Sequence, residues 1–269
     1  MTPAAVEELV ESVYGRCTAC GRCSLHCSVG ADVAAVIGAG RAAAVAAGRV
    51  PPNLQAVVDN QIQTGNQMAV TAEELESTAA WIGDDLRAES GDDGARVPVD
   101  EPNARVFYLV NPREVKFFPL SLMAAAGVFR AAGESWTLSS RFFDVTNYGL
   151  FAGDAEAAAR ITRQAVTEAE RLGCQEIILS ECGHGFRSFR WEGPDWLGER
   201  YKLPMRSILE LLWEYIVSGR IRVDPGRNGA RVTLHDPCNL VRWGGVAEPQ
   251  RRILRACCAA VSYTHLTLP

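Results

Sequence analysis

The chain has 269 residues, of which 48% are hydrophobic and 22% charged, a composition typical of a soluble globular protein with one large or two ordinary domains. Its net charge of −5 includes no basic block, which argues against nucleic acid as a partner. The N-terminus lacks the features of a signal peptide, and no apolar stretch is long enough to span a bilayer. We therefore expect a cytoplasmic protein without a transmembrane segment of its own, in which cysteines are better interpreted as metal ligands than as disulfides.

The first predicted helix leads into a run of four cysteines, CTACGRCSLHC. The spacing C-x2-C-x2-C-x3-C is typical of thiolates that bind one cubane [4Fe-4S] cluster. Zinc sites normally set their two cysteine pairs apart by a dozen or more residues, and a disulfide knot would leave little room for unstrained pairing. Gly21 suits such a loop because it tolerates positive φ. The predicted ligands are Cys17, Cys20, Cys23 and Cys27.

The residues that follow the run are predicted to be helical. The periodicity and capping signals place these helices at 32–47, at 53–63 and from a capping box at 71–74 onwards. The polar segment 91–103, which contains Gly and Pro, is predicted to be a linker. Residues 1–90 are thus expected to form a helical ferredoxin-like domain around the cluster.

From Ala104 onwards, strands alternate with helices. The predicted strands are 105–110, 141–145, 176–180 and 231–234, and the predicted helices are 119–132, 154–172, 205–216 and 248–256. This alternation favours a parallel sheet covered on both faces. The predicted fold class is therefore α/β, with an N-terminal helical domain followed by a parallel-sheet domain at 104–260.

The last residues, VSYTHLTLP, carry no charge and no helical period. They resemble the translation of a sequencing adapter read through at the end of a fragment. We expect residues 261–269 to be non-native, the domain at 104–260 to be incomplete at its C-terminus, and the natural protein to be longer. The alternative is a short β-prone tail.

Two further cysteines, Cys182 and Cys238, each follow a predicted strand, in the segments EIILSECGH and RVTLHDPC. Because the carboxyl ends of parallel strands line the ligand crevice of an open sheet, the two thiols are expected to converge there. Each cysteine has a histidine and an acid beside it. From these residues alone, a buried small side chain and a metal ligand both stay open.

The segments ECGHGFRSFRWEG and HDPCNLVRWGG resemble the cysteine-rich CCG domain of heterodisulfide reductase catalytic subunits. That domain also occurs in iron–sulfur subunits of sulfite-reductase complexes and of glycolate and lactate oxidation. The order of the two modules is similar too, and the resemblance covers nearly all of residues 10–258. It implies that Cys182 and Cys238 bind a second [4Fe-4S] centre, where disulfide or related sulfur chemistry takes place.

The chain also departs from the family pattern. The family's Cys-Cys-Gly motif is followed by further glycines, whereas Cys257 and Cys258 precede Ala259 in a helical pattern. We interpret the pair as helix residues, and the true motif as lost with the missing C-terminus. Because no cysteine lies between Ser28 and Gly173, the chain can bind one cubane, and a second centre is expected only in the full-length protein.

The resemblance implies an iron–sulfur electron-transfer subunit of a heterodisulfide-reductase-like complex. The cubane would pass electrons to a sulfur- or disulfide-type reduction centre, with Cys182 and Cys238 as the candidate catalytic residues. One alternative is the iron–sulfur subunit of a 2-hydroxy-acid (glycolate or lactate) oxidase, and another is a zinc or cluster module that serves assembly only. Other redox subunits, membrane-anchored or flavin-bearing, are the expected partners, and only through them would the chain reach the inner membrane.

Overall fold

The computed structural model describes residues 2–263, and its centre is a four-stranded sheet in the order β2-β1-β3-β4. The strands are β1 Val106–Leu109, β2 Trp136–Thr137, β3 Glu176–Leu179 and β4 Met205–Ser207. All pairings within this sheet are parallel. The predicted α/β class is confirmed.

The helices before the sheet are α1 Pro3–Val10, α2 Arg22–Leu25, α3 Val33–Ala46, α4 Pro52–Thr64 and α5 Ala72–Ser90. Those after β1 are α6 Pro112–Lys116, α7 Pro119–Ala131, α8 Tyr148–Ala152, α9 Ala155–Arg171, α10 Gly183–Phe186, α11 Gly193–Leu197, α12 Ile208–Val217 and α13 Glu248–Cys257. Helix α5 begins at the predicted capping box, in which Thr71 and Glu74 each bond the other's backbone N–H. Among residues 2–263, none of these helices combines the length and hydrophobicity needed to span a bilayer.

Alternate side chains of the strands point to opposite faces of the sheet, and both faces are buried. Val106 and Tyr108 pack into one core with apolar residues of α5, α7 and α12. Phe107 and Leu109 pack into a second core with α9 and with the segment that follows β3. Helices therefore cover both faces, as a parallel sheet requires.

Two predicted elements differ in the structure. Residues 141–145 form no extended strand, only one bridge between Asp144 and Val110. The reason is that the buried Asp144 carboxylate accepts hydrogen bonds from the backbone N–H groups of Gln67 and Thr146. Met205 belongs to strand β4 rather than to a helix, because Ser207 begins helix α12 with its own capping box. The post-strand loop also contains helix α6, which was not predicted.

The segment predicted as a linker lies against the sheet. Ala95 and Val97 are buried in the same core as helix α5, and Val99 bridges Leu138 beside strand β2. Apolar residues at these positions, spaced two apart, give the polar segment one face that packs. The domain boundaries stay a prediction.

A second sheet of two parallel strands, β5 Arg231–Leu234 and β6 Ala260–Tyr263, lies outside the main sheet. The prediction that 231–234 is a strand is right, but its inclusion in the central sheet is wrong. Residues 260–263 form a strand, as the β-prone alternative for the tail predicts, and residues 264–269 lie outside the described residues.

Candidate functional site

The loop that carries the four-cysteine run is shaped by two residues in the left-handed region, Ala19 at φ 53° and Gly21 at φ 72°. Backbone N–H groups point at its sulfur atoms. That of Ala19 donates to Cys17 Sγ at 3.4 Å, and that of Ala31 donates to Cys27 Sγ at 3.3 Å. Backbone donors around sulfur stabilise thiolates, as iron–sulfur sites require.

Cys17, Cys20 and Cys23 line a cavity of about 400 Å³ between this loop, helix α3 and the segments around Phe151 and His184. The opposite wall of the cavity includes His184 and Asn239, which are close in sequence to Cys182 and Cys238. The cavity thus lies between the cysteine loop and residues next to Cys182 and Cys238, although neither of these two cysteines lines it.

The donor set of the loop is four thiolates, which are the usual ligands of iron–sulfur clusters. Among residues 2–263, no group of three or more His, Cys, Asp and Glu side chains is arranged to hold a metal ion. In a cubane each thiolate binds a different iron atom at a corner of the cluster. Four cysteines in one loop, three of them facing a cavity, fit that arrangement.

The segment that follows Cys238 holds the cysteine loop. Arg242 Nη1 donates to the carbonyl oxygen of Cys20 at 2.6 Å. The indole ring of Trp243 covers Gly21 so closely that any Cβ at position 21 would overlap it. The backbone N–H of Arg22 lowers the pKa of the Cys20 thiol, and the Arg242 charge acts in the same direction.

Cys182 directly precedes helix α10 and is 5% exposed. Its Sγ lies 3.3 Å from His184 Nδ1. Burial raises the pKa of the Cys182 thiol far above its usual range, and it lowers the pKa of His184, which packs against Tyr148, to about 4. Both side chains are therefore neutral at pH 7.

Cys238 begins a π-helical turn, Cys238–Trp243, and is half-buried. The expectation that it reaches Cys182 through a shared sheet is wrong in part, because β5 does not belong to the central sheet. The neighbours of the two cysteines nevertheless touch: a Cβ on Gly183 would lie 2.8 Å from the Leu240 backbone nitrogen. The turn thus reaches the carboxyl end of β3 by packing on α10.

The pair at the end of α13 is split. Cys257 is the last helical residue, whereas Cys258 is extended at φ −131° and buried, with Asn228 Nδ2 donating to its sulfur at 3.2 Å. The interpretation of both cysteines as helix residues is therefore wrong for Cys258. Cys174 is buried in the apolar core.

Sequence reasoning missed two features of the site. One is a set of π-helical turns that adjoin the cysteine motifs, at Glu11–Gly15, Arg187–Glu192 and Cys238–Trp243. Such turns are rare and frequently occur at functional sites, but no simple sequence pattern predicts them. The other is Arg41, on the wall of the cavity. It is the one charged residue in α3, VAAVIGAGRAAAVA, and that isolation is a signal that could have found it.

The chain is similar in sequence to several known subunits of oxidoreductases. The chain is 26% identical to an Hdr-like menaquinol oxidoreductase iron-sulfur subunit of Archaeoglobus profundus, over 89% of this chain and 50% of that protein. It is 27% identical to the corresponding iron-sulfur subunit 2 of Archaeoglobus fulgidus, over 93% of this chain and 51% of that one. A subunit of the dihydromethanophenazine:CoB–CoM heterodisulfide reductase of Methanosarcina barkeri is 23% identical, over 94% of this chain and 59% of that protein.

The resemblance to heterodisulfide-reductase-like iron–sulfur subunits is confirmed. The chain spans about half the length of the first two heterodisulfide-reductase-like relatives. These relatives are named as subunits of larger complexes, and none of the three supports the 2-hydroxy-acid oxidase alternative. No protein-family model and no solved structure matches the chain.

Proposed function

We propose that the chain is an iron–sulfur electron-transfer subunit of a heterodisulfide-reductase-like complex. The observation that carries this proposal is the shared cavity, which Cys17, Cys20 and Cys23 line from one side and His184 and Asn239 from the other. A redox centre at the loop would then lie beside the residues expected to carry the sulfur chemistry.

The four loop thiolates, Cys17, Cys20, Cys23 and Cys27, would hold one [4Fe-4S] cluster, which supplies one electron at a time when bound. Reducing a disulfide to two thiols takes two electrons and two protons, so electrons must arrive in two steps. Arg242 and Trp243 keep the Cys238 segment against the loop through both steps, because they contact Cys20 and Gly21 directly.

His184 lies beside the Cys182 thiol. With a pKa of about 4 the imidazole is neutral at pH 7, and its Nδ1 lies 3.3 Å from Cys182 Sγ. We infer that it holds Cys182 by a hydrogen bond in the protonated state, because an imidazole of so low a pKa is too weak a base to deprotonate a thiol whose pKa burial raises. Cys182 would then ionise only when a bound metal stabilises its thiolate.

The partners in this proposal are other redox subunits, membrane-anchored or flavin-bearing, which supply the electrons. The proposed location is cytoplasmic, at the inner membrane only through such a partner. The three relatives named as subunits of quinol- or phenazine-linked oxidoreductases support this arrangement.

Anaerobic reconstitution of the 269-residue chain, followed by iron analysis and EPR, tests the proposal. We expect about four irons per chain and an S = 1/2 signal on reduction. The Cys20→Ser variant should lose this signal, whereas Cys174→Ser, which alters a cysteine of the core, should keep it. Stoichiometric zinc without a reducible cluster would contradict the proposal and favour an assembly module.

The same iron count decides the role of Cys257 and Cys258. Cys182 and Cys238 supply two thiolates, too few to hold a multi-iron centre without further ligands. Cys258 is buried with Asn228 on its sulfur, so we expect it to stay a structural thiol. A count near eight irons that falls to four in Cys257→Ser would instead show that the pair binds a second centre.

A further inference from the structure

Arg41 is a buried cation on the cavity wall. Its side chain is 3% exposed, and it lines the same cavity as Cys17 and Cys20. Arginine is almost never fully buried without a partner of opposite charge, since removing a charge from water is costly.

The guanidinium of Arg41 donates to three backbone carbonyl groups and also interacts with the Cys17 side chain. Its Nε donates to the carbonyl oxygen of Val13 at 2.9 Å, Nη1 to that of Phe151 at 2.5 Å, and Nη2 to that of Cys17 at 2.7 Å. Its guanidinium carbon lies 4.6 Å from the centroid of the Phe151 ring and 5.2 Å from that of Tyr14. No carboxylate within residues 2–263 forms an ion pair with it.

An anion in the cavity would complete this arrangement. Four thiolates around a cubane give the centre a net negative charge, and the first of them, Cys17, is the residue whose carbonyl Arg41 holds. Charge near such a centre shifts its reduction potential, because a nearby cation stabilises the reduced, more negative form.

We propose that Arg41 is the counter-charge of the iron–sulfur centre, a positioning residue that raises its reduction potential and fixes Cys17 through its carbonyl. The inference rests on the proposed cluster at the cysteine loop. Its consequence is that the protein makes the centre easier to reduce from within, before any partner binds.

Arg41 also joins three segments of the chain, so a purely structural role is the competing explanation. Tyr14 provides a control for it, because its hydroxyl donates to the Arg41 carbonyl at 3.2 Å and to that of Ala152 at 2.8 Å, next to Phe151. Tyr14→Phe loosens the same junction and leaves the charge in place.

The test is an EPR-monitored redox titration of the reconstituted 269-residue chain and three variants. We expect Arg41→Gln to lower the ratio of reduced to oxidised cluster about tenfold at fixed potential, which corresponds to a shift of about 59 mV for a one-electron couple. Arg41→Lys and Tyr14→Phe should stay within about twofold of wild type, because both keep the positive charge. An unchanged potential in Arg41→Gln, or equal shifts in the Gln and Lys variants, would overturn the proposal.

If Arg41→Gln does not fold, a pair of variants at Gly38 tests the proposal instead. Gly38 lies one turn before Arg41 in α3 and lines the same cavity, and a Cβ there would meet no atom within 4 Å. Gly38→Glu places a carboxylate beside Arg41, and Gly38→Gln is its neutral match. We expect a lower potential for Glu than for Gln, and equal potentials would overturn the inference. Wild-type protein that binds no iron would instead refute the proposed function.

Discussion

The cysteines of the loop and the cysteine at the end of β3 differ in their exposure to solvent. In the loop, Cys23 is exposed, Cys20 is half-buried, and the Arg22 backbone N–H lowers the pKa of Cys20. At the end of β3, Cys182 is 5% exposed, and burial raises its pKa far above the usual range. The Cys20 thiol therefore ionises more easily than an ordinary cysteine, and the Cys182 thiol is held protonated.

This difference in pKa determines what each thiol needs before it can bind a metal. Metal ligands must be deprotonated, so the lowered pKa of Cys20 favours metal binding at the loop. Cys182 needs a bound metal to stabilise its thiolate, because the imidazole of His184, 3.3 Å away, is too weak a base to remove the proton. Burial and local hydrogen bonds therefore give Cys20 and Cys182 opposite tendencies to ionise.

The largest effect expected from this comparison is on thiol reactivity. In the apoprotein at pH 7.5, we expect iodoacetamide to modify Cys20 and Cys23 at least about a hundredfold faster than Cys182, because only exposed thiolate reacts. Peptide mapping by mass spectrometry over a time course measures the individual rates.

Cys174 is the control for burial, since it is 6% exposed and burial raises its pKa to about 11. It should react as slowly as Cys182. If Cys182 were modified as fast as Cys23 while Cys174 stayed protected, the contrast between the two groups would be wrong.

A smaller effect is expected from the contact that joins the two regions. Gly21→Ala introduces a Cβ at φ 72° that also overlaps the Trp243 ring, whereas Gly30→Ala introduces one at φ 70° into open space. Positive φ costs about 1–2 kcal/mol in both variants, and overpacking against Trp243 adds about 1–3 kcal/mol in the first alone.

Urea unfolding of both variants, with iron retention after gel filtration, measures this difference. Gly21→Ala should be the less stable and lose iron faster, which would show that the Cys238 segment braces the loop. Equal losses of stability and of iron in the two variants would mean that Trp243 moves aside without a free-energy penalty. The loop would then keep its conformation without the contact to Trp243.

Patterns that depend on neighbours in sequence were predicted well. The capping box at Thr71 and the alternation of buried strands with helices both arise from local geometry. They sufficed to assign the α/β class.

Features that depend on distant contacts were not predicted. Strand β5 has the pattern of a buried strand, yet it pairs with β6 outside the main sheet, because pairing is set by tertiary packing rather than by propensity. Likewise, nothing in the local sequence around Arg242 or Trp243 indicates that they reach Cys20 and Gly21 across the chain.

The smallest expected effect compares one acid from each region. Asp144, fully buried near Cys182, has its pKa raised to about 7 by burial, whereas Asp32, exposed beside the loop, has its pKa lowered by the hydroxyl of Ser24. A folded-state pKa above the unfolded value of about 3.9 means that the native state holds the proton more tightly, so stability falls as pH rises from about 4 to 7. A lowered pKa has the opposite sign: its stabilisation is present above about pH 4 and is lost on acidification.

Asp144→Asn should therefore gain stability relative to wild type as pH rises from 4 to 7, by at most about 1.4 kcal/mol per pH unit. Asp32→Asn should instead lose stability relative to wild type as pH rises through about 4. Urea unfolding at several pH values measures both differences, and each difference cancels the titration of His184, which is common to wild type and variant. Parallel slopes for the two variants would mean that the Asp144 carboxylate is as well solvated as that of Asp32. The desolvation that also keeps Cys182 protonated would then be absent from the interior around Asp144 and Cys182.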